Sequence, residues 1–421
     1  MSRKLADDCF AGDGGRLTHA EALAILRDRL TCTVGTEIVP IGEAAGRIAG
    51  ADLKASADIP PAANAAVDGF AFAHADYLAA KGCLPVSARI AAGHPPQSPL
   101  APGTAARIFT GALIPEGADT VAMQEDCVAK AGAVRIPEGL KTGANRRRAG
   151  EDIRRGDALI AGGLRLRPQD IAAAASLGIA SLECRAKLRV CLFSSGDELR
   201  RPGDSAGPGN VYDSNHFLLS GLLENLPVTV RDGGILPDRR DKVDAALAEA
   251  ANAADIVICS GGASMGEEDH FVASLGSVGH RHMWQIAIKP GRPMCFGQIG
   301  DCVALGLPGN PVAAFICFLL YARPAILRLA GADWTDPPRF MVPASFSVGA
   351  KKTGRREFYR GRLVRIPDGT MRAEKFERDG SGLITSLREA DGLIEVPEQA
   401  TSVREGELVA FIPFASLGVA N

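Results

Sequence analysis

DIVICSGGASMGEED (255–269) decides the fold class. Ile256 to Ser260 is a short, unbroken apolar run rich in β-branched residues, and it ends in glycines. A run without polar alternation is buried on both faces, as in the middle of a parallel sheet. Similar units recur on either side. LRVCLF (188–193) reads as a second buried strand, SNHFLLSGLLENL (214–226) as a helix and VTVRDGGIL (228–236) as a strand. DRRDKVDAALAEAANAA (238–254) reads as a helix with Asp238 at its N-cap. Downstream, MWQIAI, MCFGQI and VALGL precede a helix from Asn310 to Leu329, with Pro311 at a permitted first-turn position. Strands alternating with amphipathic helices predict a doubly wound, three-layer α/β domain of roughly 145 residues, its parallel sheet covered on both faces.

The flanks are different. Residues 1–15 are rich in Gly and Asp. Thr18 then opens a helix, because Glu21 stands at capping-box spacing and Leu23, Leu26 and Leu30 share a face. From Val39 to about Ile179, short apolar stretches alternate with Gly/Pro turns, which predicts irregular β-rich structure. Pro337-Pro338 marks a linker, after which FMVPASFSV, EFYRGRLVRI, MRAEKF, LIEVP and ELVAFIPF predict a small closing β-domain.

Composition excludes several classes of function. The 421 residues carry 47 basic and 49 acidic side chains, so no global field draws in nucleic acid. The N-terminus lacks the basic-then-apolar order of a signal peptide, and the longest apolar run, Val312 to Ala322, is too short to span a bilayer. No membrane association is expected. The ten cysteines include no CxxC pair, and several lie in apolar runs, as reduced thiols of a cytoplasmic protein do. The seven histidines have no carboxylate or cysteine at metal-motif spacing.

In a doubly wound sheet, ligands bind beyond the carboxyl ends of the strands. The loops there are SSGDEL (194–199), SGGASMGEED (260–269) and PGNP (308–311). In the second, Gly261, Gly262 and Gly266, flanked by Ser260 and Ser264, let backbone N–H groups converge on a phosphate. It is neither a P-loop nor a GxGxxG fingerprint. Glu267, Glu268 and Asp269 follow the cradle; they suit either a Mg²⁺ bridge to bound phosphate or simple complementation of a helix dipole. Lys289, between an apolar strand and a Pro-Gly turn, suits a fixed anion-pairing cation, although a solvated lysine is the commoner case. Asp197 and Glu198 read as ligand contacts or as a turn and cap. Arg146-Arg147-Arg148 followed by GED (150–152) reads as a solvated face or as a polyanion grip.

These segments together resemble the molybdopterin molybdenumtransferases, the MoeA proteins and the E-domain of gephyrin. The matching pieces run in family order: VDGFA (67–71), FTGALIPEGAD (109–119), AMQED (122–126), NRRRAGEDI (145–153), ASLGIA (175–180), FSSGDEL (193–199), YDSN (212–215), SGGASMGEED (260–269), AIKPGRPM (287–294) and LGLPGNPVAA (305–314). The resemblance implies a dimerising domain from 1–57 and 150–182 and a β-rich lobe over 58–149. It further implies a molybdopterin-binding α/β domain over 183–331 and a C-terminal β-barrel over 332–421. It implies a homodimer whose cleft is shared between the α/β domain of one subunit and the lobe of the other. The implied reaction is Mg²⁺-dependent: adenylylated molybdopterin and molybdate give molybdenum cofactor and AMP. A molybdopterin adenylyltransferase and acceptor molybdoenzymes are the implied partners.

Carried over by motif, the functional positions are Thr110 and Asp152 on the lobe, Glu198, Asp238, Asp269, Lys289 and Pro308 on the α/β domain, and Ser381 on the last domain. Gly309 and Asn310 join Pro308 in the binding set. Asp269 and Glu198 are the implied Mg²⁺ ligands, and Asp152, Asp269, Lys289 and Thr110 the implied catalytic group. The family's lobe motif reads GFDNSAMDGYA, whereas residues 61–71 here read PAANAAVDGFA. Ala62, Ala63 and Ala65 replace its phenylalanine, aspartate and serine, and Gln285 stands where a lysine is common. Beside insertion of molybdate, these departures leave open a paralogue that binds and delivers molybdopterin or finished cofactor. A scaffold of the gephyrin kind is a third reading.

Overall fold

A computed structural model describes residues 16–263 and 269–419. In the α/β domain the strands are β1 (Leu188–Ser195), β2 (Val228–Leu236), β3 (Ile256–Ser260), β4 (His280–Trp284), β5 (Cys295–Ile299) and β6 (Cys302–Leu307). They form one sheet in the order β2-β1-β3-β6-β5-β4. Side chains alternate across it, and both faces are apolar. Val190, Leu192, Ile256 and Ile258 enter one core, while Cys191, Phe193, Val257 and Cys259 enter the other. Helix α1 (Ser214–Glu224) adds Leu219 and Leu223 to the first core. Helices α2 (Arg240–Ala253) and α3 (His270–Val278) add Val243, Leu247, Phe271 and Leu275 to the second. The described cysteines are free, and burial pushes the Cys295 and Cys302 thiols up to about 12, where they are inert.

Two expectations need correction. The sheet is mixed, because β5 and β6 form an antiparallel hairpin and β4 pairs antiparallel with β5. Only Gly300 and Asp301 separate the Ile299–Cys302 pair, too few residues for a parallel crossover. Asp238 is not the N-cap of α2. That helix begins at Arg240, and the Asp238 carboxylate instead accepts the Asp197 amide at 3.1 Å. Helix α4 (Pro311–Leu329) runs over the expected residues and extends beyond their unbroken apolar run. Among the described residues it alone has the length and composition to cross a bilayer, but it is largely buried inside the protein. It therefore reads as a core helix, interrupted by a π-helical turn over Phe318–Ala322.

The helix His19–Arg29 has the Thr18/Glu21 capping box and buries Ala22 and Leu26 against the α/β core. Residues 36–40 pair with 181–185, and Leu53–Lys54 pairs with Ala158–Ile160, around a separate core of Val39, Ala49, Leu166 and Leu182. The lobe has a six-stranded sheet containing Gly69–Phe72, Ala105–Ile108 and Cys83–Ile90. Beyond the linker, β7 (Phe340–Pro343), β8 (Arg356–Arg365), β9 (Met371–Lys375), β10 (Gly392–Val396) and β11 (Leu408–Pro413) pair in the order β9-β8-β10-β11-β7. An Ala344–Ala373 bridge brings the two ends of that order together. The short strand Ile288–Lys289 pairs parallel with Arg356–Glu357 and joins this domain to the α/β domain.

His19 sits at that junction. It is 2% exposed, its Nδ1 lies 2.7 Å from the Tyr321 hydroxyl, and its ring meets Tyr321 and Phe358 edge-on. Burial, aided by Arg356, lowers its pKa to about 4. The folded pKa lies below the unfolded value, so the unfolded chain binds the proton first. His19 therefore contributes full stability above about pH 6.5, and loses about 3 kcal/mol of it as pH falls towards 4. Measured by urea titration across this range, wild-type stability should fall about 3 kcal/mol more than that of His19→Gln; parallel profiles would refute the assignment.

Candidate functional site

Strand register sets the site. Ser194 pairs with Ser260, and Ser260 with Leu307, so the carboxyl ends of β1, β3 and β6 lie side by side. Their loops therefore open into one cleft of about 660 Å³, lined among others by Ser195, Glu198, Ser260, Gly261, Gly262, Asp269, Pro308, Gly309 and Asn310. A contiguous recess of about 300 Å³ shares Pro293, Pro308 and Asn310 with it, and is lined by Lys289 and Ser381. Ten of the residues singled out in the sequence are thus brought together, from five separate segments.

The cradle has the backbone that its glycines predict. Gly261 and Gly262 have φ of +93° and +67°, and a Cβ on Gly261 would lie 2.6 Å from the Ser195 carbonyl oxygen. The Gly261 amide donates to the Leu307 carbonyl, which ties the loop to β6. Asn215, at the start of α1, donates through Nδ2 to Ser260 Oγ and to the Gly309 carbonyl, both at 2.7 Å. One side-chain amide thereby fixes two of the three loops. Ser264, Gly266, Glu267 and Glu268 lie outside the described residues. Asp269 is the N-cap residue of α3 but makes no side-chain cap hydrogen bond there. Its carboxylate is thus not used to cap the helix, although it stands at the helix's positive end.

Charge divides the cleft. Glu198, Asp269 and Asp213, the last already capping α1 and paired with Arg201, line the larger part, while Arg16, Lys289, Arg292 and Arg355 line the recess against the single acid Asp379. Lys289 is held as well as placed: its Nζ is 3.8 Å from Oε2 of Glu357, which is 2% exposed. Burial alone would push the Glu357 carboxyl up, but hydrogen bonds from Tyr359 and Arg355, with the Lys289 charge, hold it below its usual value. A carboxylate charged in this way fixes the lysine at the recess. Two carboxylates at the other end suit a hard cation that keeps waters and takes its remaining oxygens from substrate phosphate. The described residues include no group of three or more metal-ligating side chains. Oxygen donors of this kind suit Mg²⁺.

Three expected residues lie off the cleft lining. Asp238 pairs reciprocally with Asp197, each carboxylate accepting the other's amide at 3.1 Å. Thr110 follows a strand of the lobe sheet, and Asp152 lies on the segment bridged to Ile59. Thr110 donates through its amide and hydroxyl to Asp68 Oδ1, at 2.8 and 2.7 Å, which holds the Asp68 carboxyl below its ordinary range. The Asp152 amide donates to the Ile59 carbonyl. Asp68 and the basic trio Arg16, Arg292 and Arg355 went unselected in the sequence. Asp68 stood inside VDGFA, whereas lone arginines carry no local signal.

Comparison with known proteins agrees with this geometry. Three family models match in order: "MoeA N-terminal region (domain I and II)" over residues 17–178, "Probable molybdopterin binding domain" over 191–328 and "MoeA C-terminal region (domain IV)" over 347–414. A molybdopterin molybdenumtransferase of Haemophilus influenzae is 37% identical over 95% of this chain and 99% of its own length. One from a Nostoc species is 32% identical over 88% and 87%. A molybdopterin biosynthesis MoeA protein of Pyrococcus horikoshii is structurally similar, with a TM-score of 0.80 at 28% identity, covering 95% of this chain and all of that one.

Proposed function

The chain belongs to the MoeA family of molybdopterin molybdenumtransferases, and from that membership we propose that its divided cleft binds adenylylated molybdopterin and molybdate, forming molybdenum cofactor and releasing AMP. The observation that carries this reading is the pairing of an acidic end, Glu198 and Asp269, with a basic recess at Lys289, across a glycine cradle. A pterin nucleotide is a polyanion bridged by phosphates, and it needs donors and cations along its length.

In this reading the Gly261 and Gly262 backbone and Lys289 hold the phosphates, and Ser381 offers a hydroxyl at the recess. Glu198 and Asp269 would hold Mg²⁺, which offsets phosphate charge when bound. Pro308, Gly309 and Asn310 shape the wall between the two parts and start α4. Holding both substrates in one cleft replaces a bimolecular encounter with an oriented one.

Thr110 and Asp152 enter through a homodimer, in which the lobe of one subunit faces the α/β domain of the other. We also propose the division of the chain expected above, with 332–421 as a small β-barrel and the opening helix docked on the α/β domain. The setting is cytoplasmic. A molybdopterin adenylyltransferase supplies the substrate, and molybdoenzymes receive the product.

The test is Asp269→Asn. The change keeps the size of a side chain that lines the open cleft, so the thermal midpoint should move little. The Mg²⁺-dependent part of AMP affinity should fall about tenfold, the worth of one charge-assisted contact. Calorimetric titration with AMP, with and without Mg²⁺, reads this directly. Equal Mg²⁺-dependent affinity in mutant and wild type would return Asp269 to complementing the α3 dipole.

A further inference from the structure

Arg360, in the middle of β8, is 2% exposed and heads the fully buried side chains by volume. Burying a guanidinium is costly unless its donors are satisfied. Among the described residues, no carboxylate hydrogen-bonds to it. Nε donates to Ser386 Oγ at 2.9 Å, and Nη2 to the Arg378 and Gly380 carbonyls at 2.9 and 3.3 Å. All three acceptors belong to one segment, RDGSGLITS (378–386). The fully buried Ser386 donates in turn to the Leu383 carbonyl at 2.6 Å, which leaves its lone pairs for Arg360.

The same segment reaches the cleft. Asp379 and Ser381 line the basic recess, and Gly382 lines the larger part. From the cleft side, the Ser381 carbonyl accepts the Val312 amide in the first turn of α4 at 3.0 Å. From outside, Lys375 pairs with Asp379 at 2.5 Å. Arg360 thus grips from behind a loop that arrives from one domain and docks on the helix start of another. Its planar fork spans two carbonyls and a hydroxyl, an arrangement that a point-charge ammonium does not reproduce.

We propose that Arg360 is a positioning residue, holding the 378–382 loop against the start of α4 so that Ser381 stays aimed into the recess. The assignment rests on reading the recess as the phosphate end of the pterin-nucleotide site. Arg360→Lys keeps the charge and loses the fork. In the ligand-free full chain, amide exchange over 379–383 should then accelerate about tenfold, while β8, β10 and β11 keep their protection. AMP affinity should fall about tenfold, and adding Ser381→Ala should cost little more, because both changes remove the same contact.

Acceleration spread across the whole C-terminal domain would make Arg360 a general fold residue and overturn the proposal. So would unchanged exchange, or fully additive losses with Ser381→Ala. Should Arg360→Lys fail to fold, Ser386→Ala removes one acceptor and keeps the arginine; it must show the same confined acceleration, and its absence overturns the proposal. If wild type binds no AMP, the reading of the cleft fails, while the exchange pattern still decides the clamp.

Discussion

Mixing chains that carry Asp152→Ala with chains that carry Asp269→Ala restores activity that each variant alone has lost. The expectation follows from where the two carboxylates lie. Asp269 lines the cleft beyond β3, whereas Asp152 sits on the lobe strap that pairs with Ile59 and is absent from the cleft lining. Both serve one polyanion if the lobe comes from a second subunit. Each single substitution removes a charged contact worth about 1.5–3 kcal/mol, or about ten- to hundredfold in rate. In a two-fold dimer, random exchange makes about half the molecules mixed, and each mixed dimer has one cleft with both carboxylates, so about a quarter of wild-type activity returns. Co-expression of two differently tagged chains isolates the mixed species, in which molybdate-dependent AMP release is measured. Mixed dimers no better than either parent would place both residues on one subunit's cleft, or one of them off the pathway.

The parts of this site legible in sequence are those with local physical signatures. Continuous apolar runs marked β1 and β3, because burial on both faces removes the need for polar alternation. The Gly261-Gly262 pair marked the cradle because only glycine takes those φ values beside another backbone. The antiparallel hairpin of β5 and β6 also has a local signature, since Gly300-Asp301 between two apolar runs is a two-residue turn. Asp238 suits a cap by its local position, whereas its real partner, Asp197, is 41 residues away. The same holds for the grip of Glu357 on Lys289 and of Arg360 on the Ser381 loop. Such contacts are set by how β8 lies against its neighbours, and no spacing along the chain encodes them.

Restoring the carboxylate at position 63 tests whether the alanines of the lobe motif weaken insertion. The backbone there is already fixed. The Ala63 carbonyl accepts the Ile114 amide, Asn64 and Ala65 pair with Arg147 and Arg146, and the Ala65 amide donates to the Ala112 carbonyl. Residues 63–65 are thus clamped between FTGAL and the arginine triplet, beside Thr110, so an aspartate at 63 would enter a preformed frame. Its half-buried position makes the charge tolerable, and the neighbouring exposed arginines favour its ionised form. If it acts in the transition state, Ala63→Asp should raise molybdate-dependent AMP release about ten- to hundredfold, the worth of one charge-assisted or metal contact. The companion Ala65→Ser is less simple. Ala65 is 0% exposed in a core with Ala71, Ile108 and Val121, so a serine there buries a hydroxyl. That costs about 1–3 kcal/mol unless the hydroxyl finds a partner. The double variant should therefore melt lower than Ala63→Asp alone, and its rate should depart from the product of the single effects, because the two sites are neighbours. Wild-type turnover that Ala63→Asp cannot improve would show that this chain inserts molybdate without the lobe aspartate. No turnover in wild type, Ala63→Asp or Ala63→Asp/Ala65→Ser would instead fit a protein that binds and delivers the pterin, since a cleft that had lost only one helper would respond to its return.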